Sequence, residues 1–167
     1  MIQPEASASD FEQAVRLAWL NRWGPEATSG MVVCAAILRS RQLIREQVDA
    51  VLDRHDLTHV RHEVLACLAV APEQTLSLGR ISRILRSPPA TVTNAVDHLE
   101  AKSLVRRDAH PTDGRTTLAV MTDEGSALEA RVAADLNREI HERIGLDDTE
   151  RTHLLELLRR VDAAVRG

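Results

Sequence analysis

Four polar residues at helical spacing could hydrogen-bond to the edges of DNA bases: Thr91, Thr93, Asn94 and His98. They lie opposite Val92, Val96 and Leu99, whose spacing predicts a helix with one buried face. Asn94 can form two hydrogen bonds with adenine, and the threonines can contact a thymine methyl group or a phosphate. The segment therefore has the composition of a helix that reads DNA.

A predicted hairpin follows this helix and carries cations. The runs 104–107 and 116–121 are typical of strands, and residues 110–114 (His-Pro-Thr-Asp-Gly) have the composition of a turn. Arg115 stands near the tip, where a guanidinium can enter the minor groove of an A·T-rich tract. Asp113 is expected to orient that guanidinium. Further candidates for phosphate contacts are Arg83, Arg86, Arg106 and Arg107.

Charge is segregated along the chain. The formal net charge is −4, which alone argues against a nucleic-acid-binding protein. Residues 80–115, however, contain seven Lys or Arg and four Asp or Glu, a local charge of +3, so the remainder carries −7. Such segregation is typical of an electrostatic footprint for nucleic acid.

The run 76–125 resembles the MarR family of bacterial transcription regulators. The matching motifs are Val96-Asp97-His98-Leu99-Glu100, Leu104-Val105-Arg106-Arg107, the Asp-x-x-x-x-Asp-x-Arg pattern of 108–115, and Thr122-Asp123-Glu124-Gly125. The resemblance implies an obligate homodimer that binds DNA and releases it when a ligand or an oxidant arrives. One position departs from the family pattern, since Ser103 stands where glycine is usual and a left-handed backbone favours glycine.

We therefore predict a surface for double-stranded DNA made of Arg86, Pro89, Ala90, Thr91, Thr93, Asn94, His98, Arg106, Arg107, Asp113 and Arg115. A two-fold dimer presents two recognition helices to successive major grooves. We expect a pseudo-palindromic operator with half-sites about 10 bp apart. The resemblance favours a repressor.

The predicted fold class is mainly α with a small β wing. One MarR-like domain spans 1–167, in which helices at 9–56 and 122–166 form a dimerisation body and 57–121 form the winged helix-turn-helix lobe. Gly24-Pro25 should end the first helix. Helix N-caps are expected at Ser9, Thr58, Ser77, Ser87 (with Pro88 as the first helical residue), Thr122 and Asp147.

Apolar stripes on the terminal helices indicate a dimer. The first helix carries Phe11, Val15, Trp19 and Trp23 four residues apart, and the last carries Leu154, Leu155, Leu158 and Val161. Nothing else in the sequence is left to cover both stripes.

An effector pocket is implied by the resemblance, near the start of the helix that follows residue 57. Its candidate lining is Trp19, Trp23, Arg39, His59 and His62, a mixture that suits a small anionic or aromatic ligand. The extra N-terminal helix resembles the urate-responsive branch of the family. Ala95 stands where that branch carries arginine, and Glu63 where it carries aspartate, so urate is not the expected ligand.

Cys34 offers an alternative switch. It lies 24 residues before Thr58, the spacing at which the branch that senses organic hydroperoxides keeps its reactive cysteine. That branch activates the thiol with tyrosines, whereas this chain has none and His59 falls at one of those positions. The favoured interpretation is that Cys34, like Cys67, is a small buried apolar residue.

Other functional classes are not favoured. His59, His62 and Glu63 could form part of a zinc site, but the zinc-responsive relatives place paired histidines after the wing, where this chain has His141 alone, so no metal and no cofactor are predicted. Glycine-rich phosphate loops and hydrolase motifs are absent, so no catalysis is expected. A dimeric interaction module without DNA binding is the remaining alternative. We expect a cytoplasmic protein without a membrane segment.

Overall fold

The structure, a computed structural model, describes residues 8–166, with side chains from residue 12 onward. Within these residues, the chain up to residue 47 and the chain from residue 48 onward form two compact units, which we describe separately. None of the helices within 8–166 has both the length and the apolar character needed to cross a membrane.

The first unit is the larger part of helix α1 (Ala8–Asp53). Gly24 interrupts this helix with φ 82° and ψ 176°, and Pro25 opens the second segment. The predicted break at Gly24-Pro25 is therefore correct. The buried Thr28 hydroxyl donates to the Gly24 carbonyl oxygen at 2.7 Å and so satisfies an acceptor at the break. Ala8 is already helical, and the side chains of Ser9 and Phe11 lie outside the described residues.

The second unit contains the end of α1 and the remaining elements. Its helices are α2 (His59–Ala69), α3 (Leu78–Leu85), α4 (Pro89–Ala101), α5 (Asp123–Glu139) and α6 (Asp148–Arg166), with short 3-10 turns at Pro72–Gln74 and His141–Arg143. Its strands are β1 (Thr75–Ser77), β2 (Val105–Ala109) and β3 (Thr117–Met121). The mainly α fold with a β wing is confirmed.

The three strands form an antiparallel sheet in the order β1-β3-β2. Val105 pairs with Met121 and Ala109 with Thr117, which makes β2 and β3 the predicted hairpin. Strand β1 was not predicted, because three residues are too short to show an alternating pattern. It pairs Ser77 with Leu118 and so fixes the start of α3 against the hairpin.

An aliphatic core holds the lobe together. Its fully buried side chains come from the end of α1, α2, α3, α4, the sheet and α5, and the largest are Leu52, Leu65, Leu68, Ile81 and Leu99. Val92, Val96 and Leu99 of α4 are all buried, as their helical spacing predicts. One side of α4 is therefore fixed against the core and the other is free for a partner.

Helix caps agree with the sequence in part. The Ser77 hydroxyl accepts from the Arg80 N–H at 3.3 Å, the Thr122 hydroxyl accepts from the Gly125 N–H at 3.0 Å, and Asp147 forms the predicted capping box with Glu150. Thr58 takes the N-cap position of α2 without a side-chain capping bond. The prediction for α4 was one residue early, since Pro88 is the N-cap and Pro89 the first helical residue.

Candidate nucleic-acid interface

Helix α4 exposes a continuous polar face. Pro89, Ala90, Thr91, Thr93, Asn94 and His98 are all exposed, whereas Val92, Ala95, Val96 and Leu99 are buried. The buried side of α4 packs in the core of the lobe, and the exposed side is accessible to a ligand. The predicted base-reading residues therefore share one accessible surface.

The polar groups of this face are available to a ligand. Within residues 8–166, the Asn94 side-chain amide has no hydrogen-bond partner, although the Asn94 carbonyl oxygen accepts from Nδ1 of His98 at 2.8 Å. Because a carbonyl oxygen can only accept, Nδ1 of His98 carries the proton. The neutral His98 ring then presents Nε2 to the outside as an acceptor.

The turn between α3 and α4 places Arg86 on the surface. Arg86 has a left-handed backbone (φ 50°) and caps α3, while the Ser82 hydroxyl donates to the Ser87 carbonyl oxygen at 2.6 Å. These bonds fix the angle between the two helices of the helix-turn-helix pair. Arg86 is exposed beside the start of α4, as the sequence predicts for a phosphate contact.

The wing tip is organised by Asp113. Its carboxylate accepts from the Arg115 backbone N–H at 3.0 Å and from the Thr116 hydroxyl at 2.7 Å. The Thr116 and Arg115 hydrogen bonds hold the pKa of Asp113 below its usual value. We expected Asp113 to orient the Arg115 guanidinium. In the described residues its bonds go to the Arg115 backbone and to Thr116 instead, because the tight turn brings those donors closer.

Arg107 joins β2 to α4. Its guanidinium donates to Asp97 at 2.7 Å, to Glu100 at 2.6 Å and to the Thr93 carbonyl oxygen at 3.3 Å, and its backbone N–H donates to Glu100 at 3.1 Å. Burial acts to lower the pKa of Arg107, but the hydrogen bonds that its guanidinium donates to both carboxylates outweigh burial and raise that pKa.

Arg107 is half-buried and paired with two carboxylates of α4, and these contacts join that helix to the wing. The sequence analysis predicted a phosphate contact for Arg107. It did not predict that Asp97 and Glu100, one turn apart on α4, face the wing and pair with Arg107. The neighbouring Arg106 is exposed and forms an ion pair with Asp108 on its own strand.

Comparisons with known proteins agree with this geometry. The model of the MarR family matches residues 57–117. Over 124 residues the chain is 32% identical to the HTH-type transcriptional regulator MhqR of Bacillus subtilis (strain 168), a match that covers 74% of this chain and 84% of that protein. The chain belongs to the MarR family. It is accordingly a transcription regulator and not an enzyme.

Solved MarR-family structures share its fold. Sco5413 of Streptomyces coelicolor is 30% identical, with a TM-score of 0.72 over 82% of this chain and 95% of that chain. Sco3205 of the same organism, solved in complex with DNA, is 24% identical with a TM-score of 0.71 over 80% and 86%. BpsR of Bordetella bronchiseptica, whose DNA binding is regulated by 6-hydroxynicotinic acid, is 24% identical with a TM-score of 0.69 over 78% and 92%.

The predicted effector residues of this MarR chain divide between the two units. In the first, Trp19 and Trp23 are exposed, and the Arg39 guanidinium pairs with the Glu12 carboxylate at 2.5 Å, which holds the Glu12 pKa below its usual value. The Arg22 guanidinium lies 5.2 Å from the centre of the Trp23 ring. An aromatic and cationic surface is therefore present on α1.

In the second unit, His59 and His62 are half-buried on α2. Burial lowers the pKa of His62, and nearby His59 and His141 add to the effect. Among the described residues, Nδ1 of His59 is buried without a hydrogen-bond partner, 3.6 Å from the Asp49 carboxylate. These histidines keep hydrogen-bonding capacity for a ligand.

The two cysteines differ in exposure. Cys34 is exposed on α1, contrary to the expectation of a buried apolar residue, because the single chain leaves much of this helix uncovered. Cys67 is half-buried, and burial together with Glu63 raises the pKa of its thiol, which keeps it protonated. Within residues 8–166, no group of three or more His, Cys, Asp or Glu side chains could hold a metal ion.

Proposed function

We propose that this MarR-family protein is a homodimeric repressor that binds a pseudo-palindromic DNA operator and leaves it when a small anionic or aromatic ligand binds. The observation that carries the DNA-binding part is the exposed polar face of α4. Its six residues at 89–91, 93, 94 and 98 are accessible, while the opposite face is fixed in the core.

The charges around that face support the same proposal. Arg86 lies at the start of α4, Arg106 on β2 and Arg115 at the wing tip, and all three are exposed. Phosphate contacts by such cations supply most of the sequence-independent attraction to DNA. The wing residue Arg115 would read the narrow minor groove while α4 occupies the adjacent major groove.

Apolar side chains without a cover support the dimer. Helix α6 has no buried residue, and Leu154, Leu155, Leu157, Leu158 and Val165 are exposed on it. Exposed apolar side chains in such density are typical of a protein–protein interface. A two-fold dimer would bury them and would set the spacing of the two α4 helices.

Fluorescence anisotropy tests the DNA-binding part. Labelled DNA from upstream of the gene, and a library of genomic fragments, would be titrated with wild type, Arg115→Ala and Asn94→Ala, with Arg16→Ala on α1 as the charge-matched control. We expect Arg115→Ala to weaken binding to every DNA sequence. The slope of log Kd against log salt concentration (the salt slope) should fall by about 1. Asn94→Ala should weaken binding to the operator by about 1–3 kcal/mol and should weaken binding to scrambled DNA much less.

Binding that shows no sequence preference for any genomic fragment at low salt would overturn the proposal. The interaction-module alternative would then take its place, since a dimer would persist without DNA. Unchanged affinity for Arg115→Ala, with wild-type binding intact, would exclude the wing from the interface.

The ligand part rests on the types of the effector residues. The two tryptophans and the arginine of α1 suit a planar carboxylate, which can stack on an aromatic ring and pair with a cation. The regulation of BpsR by 6-hydroxynicotinic acid shows that a protein of this fold can respond to such a molecule. Glu12, already paired with Arg39, would compete with the ligand carboxylate.

Intrinsic fluorescence tests this part directly, because Trp19 and Trp23 are the two tryptophans of the chain. Titration with 6-hydroxynicotinic acid should quench their emission and release DNA. Arg39→Ala should raise the Kd obtained from quenching about tenfold, because one charge-assisted hydrogen bond to the ligand is lost. Glu12→Gln should lower that Kd, and Arg16→Ala should leave it unchanged. If the ligand releases DNA without changing the tryptophan emission, it binds elsewhere and the proposed site is wrong.

A thiol switch is the second candidate, favoured by the exposure of Cys34. If it operates, an organic hydroperoxide releases DNA from wild type and from Cys67→Ser but not from Cys34→Ser. Release that persists in Cys34→Ser, or no release at all, would remove this candidate.

A further inference from the structure

An open notch of about 370 Å³ lies at the base of the wing. Its lining is Thr75, Leu76, Ser77, Arg80, His110, Thr116 and Leu118. The pairing of Ser77 with Leu118 brings the start of α3 beside the hairpin, and the His110 N–H donates to the Thr116 carbonyl oxygen at 3.1 Å. Residues 30 positions apart in sequence, Arg80 and His110, thus share one concave surface.

Donor groups for a ligand remain on three side chains of the notch, Ser77, Arg80 and His110. The Thr75 and Thr116 hydroxyls already donate to the Glu73 carbonyl oxygen and to the Asp113 carboxylate. The Ser77 oxygen accepts from the Arg80 backbone N–H, so its O–H proton remains available. Nδ1 of His110 accepts from the Thr112 N–H at 3.4 Å, which leaves the proton of the neutral ring on Nε2. Within residues 8–166, the Arg80 guanidinium has no hydrogen-bond or ion-pair partner.

Among the residues that the structure describes, none with a carboxylate lines the notch. The acidic residue of the adjacent turn, Asp113, has both oxygens occupied by Arg115 and Thr116. A guanidinium, an imidazole N–H and a hydroxyl, with no competing carboxylate among the lining residues, match the oxygens of a phosphate.

We propose that Ser77, Arg80 and His110 form an oxyanion site that takes a backbone phosphate of the operator DNA. The inference rests on the proposed function. When α4 occupies the major groove and Arg115 the minor groove, the sugar–phosphate backbone between the two grooves must pass the base of the wing. A shallow, open notch suits a phosphodiester, which stays attached to its chain on both sides.

The salt dependence of DNA binding tests the DNA assignment. Kd for the operator and for scrambled DNA would be measured from 50 to 300 mM salt for wild type, Arg80→Ala and His110→Ala. We expect Arg80→Ala to raise Kd for both DNAs about tenfold and to reduce the salt slope by about 1, since one phosphate contact is lost. Arg131→Ala, which removes the same charge from an exposed position of α5, should leave the slope unchanged. Thermal unfolding would verify that each variant is folded.

Inorganic phosphate tests the notch without DNA. Titration into wild type should shift the imidazole NMR signals of His110, and Arg80→Ala should abolish the shift while the signals of His153 on α6 stay constant. If phosphate shifts His110 but Arg80→Ala keeps the full salt slope, the notch holds free anions and the DNA assignment is wrong. If neither effect occurs while wild type binds its operator, the site is refuted and the proposed function stands.

Failure of wild type to bind any DNA would refute the proposed function and the DNA assignment together. The phosphate titration would then still decide whether the notch binds an anion.

Discussion

Gly125 is held by a close backbone contact at the start of α5. A Cβ atom at this position would lie 2.0 Å from the Leu104 carbonyl oxygen and 3.0 Å from its carbon. The same oxygen accepts from the Thr122 N–H at 3.2 Å, and the Thr122 hydroxyl donates to the Ser103 carbonyl oxygen at 2.8 Å. Residues 103 and 104, which follow α4, are thereby tied to the start of α5 by two hydrogen bonds and by the close approach at Gly125.

Gly125→Ala should lower the free energy of unfolding by about 3 kcal/mol, because the added methyl group forces this junction open. Urea unfolding followed by circular dichroism measures the change. Gly79→Ala is the matched control, since within the described chain no atom beyond the neighbouring residues and backbone of α3 lies within 4 Å of the Cβ position of Gly79. It should be neutral or stabilising by up to about 1 kcal/mol. Equal stabilities for the two variants would contradict the contact.

His62 links stability to pH. Burial lowers its pKa in the folded state, so the unfolded chain binds the proton more tightly. Its neutral form supports the fold fully above the unfolded pKa of about 6.5, and stability is lost as the pH falls below that value toward the folded pKa. The melting temperature of His62→Gln should therefore depend less on pH between 7.5 and 5 than that of wild type. His98→Gln, an exposed histidine, should keep the wild-type profile.

At the scale of elements, the main connection is the one between β2 and α4. Arg107 contacts α4 at three levels, Thr93, Asp97 and Glu100, which fixes the direction in which the polar face points relative to the wing. Arg107 is half-buried, and breaking such a pair leaves carboxylates without their cation.

Arg107→Ala should reduce the preference for operator over scrambled DNA about tenfold while changing the salt slope little, because it misplaces α4 and removes no phosphate contact. Arg106→Ala is the matched control and should reduce the slope without altering the preference. A double-mutant cycle with Glu100→Ala should show that the two effects are not additive. If Arg107→Ala reduces the salt slope as much as Arg115→Ala does, Arg107 contacts a DNA phosphate.

At the scale of the whole molecule, the apolar surface of α6 requires a partner. Leu155 is 53% exposed and Leu158 36% exposed in the single chain. Leu155→Glu should shift a wild-type dimer toward monomer in sedimentation experiments and should weaken operator binding, since one lobe alone makes half of the contacts. Val70→Glu replaces another exposed apolar residue, 87% exposed and outside α6, and should remain dimeric. A dimer that is unchanged in Leu155→Glu would place the interface elsewhere.

The sequence by itself determined the helices, the hairpin and the polar face of α4, because periodicity and turn composition are local properties. Ser103, at the position where the family resemblance implied a left-handed residue, has a φ of 58°. Caps at Ser77 and Thr122 and the break at Gly24 were likewise predictable. Each depends on residues within one helical turn.

Only the tertiary structure decided which charged residues face one another. Arg106 and Arg107 are adjacent and identical in type, yet one is exposed and the other is bound to two carboxylates of α4. Strand β1 brings Arg80 and His110 together across 30 residues. Such contacts follow from strand register and helix packing, which are set by the whole core, and no local pattern in the sequence records them.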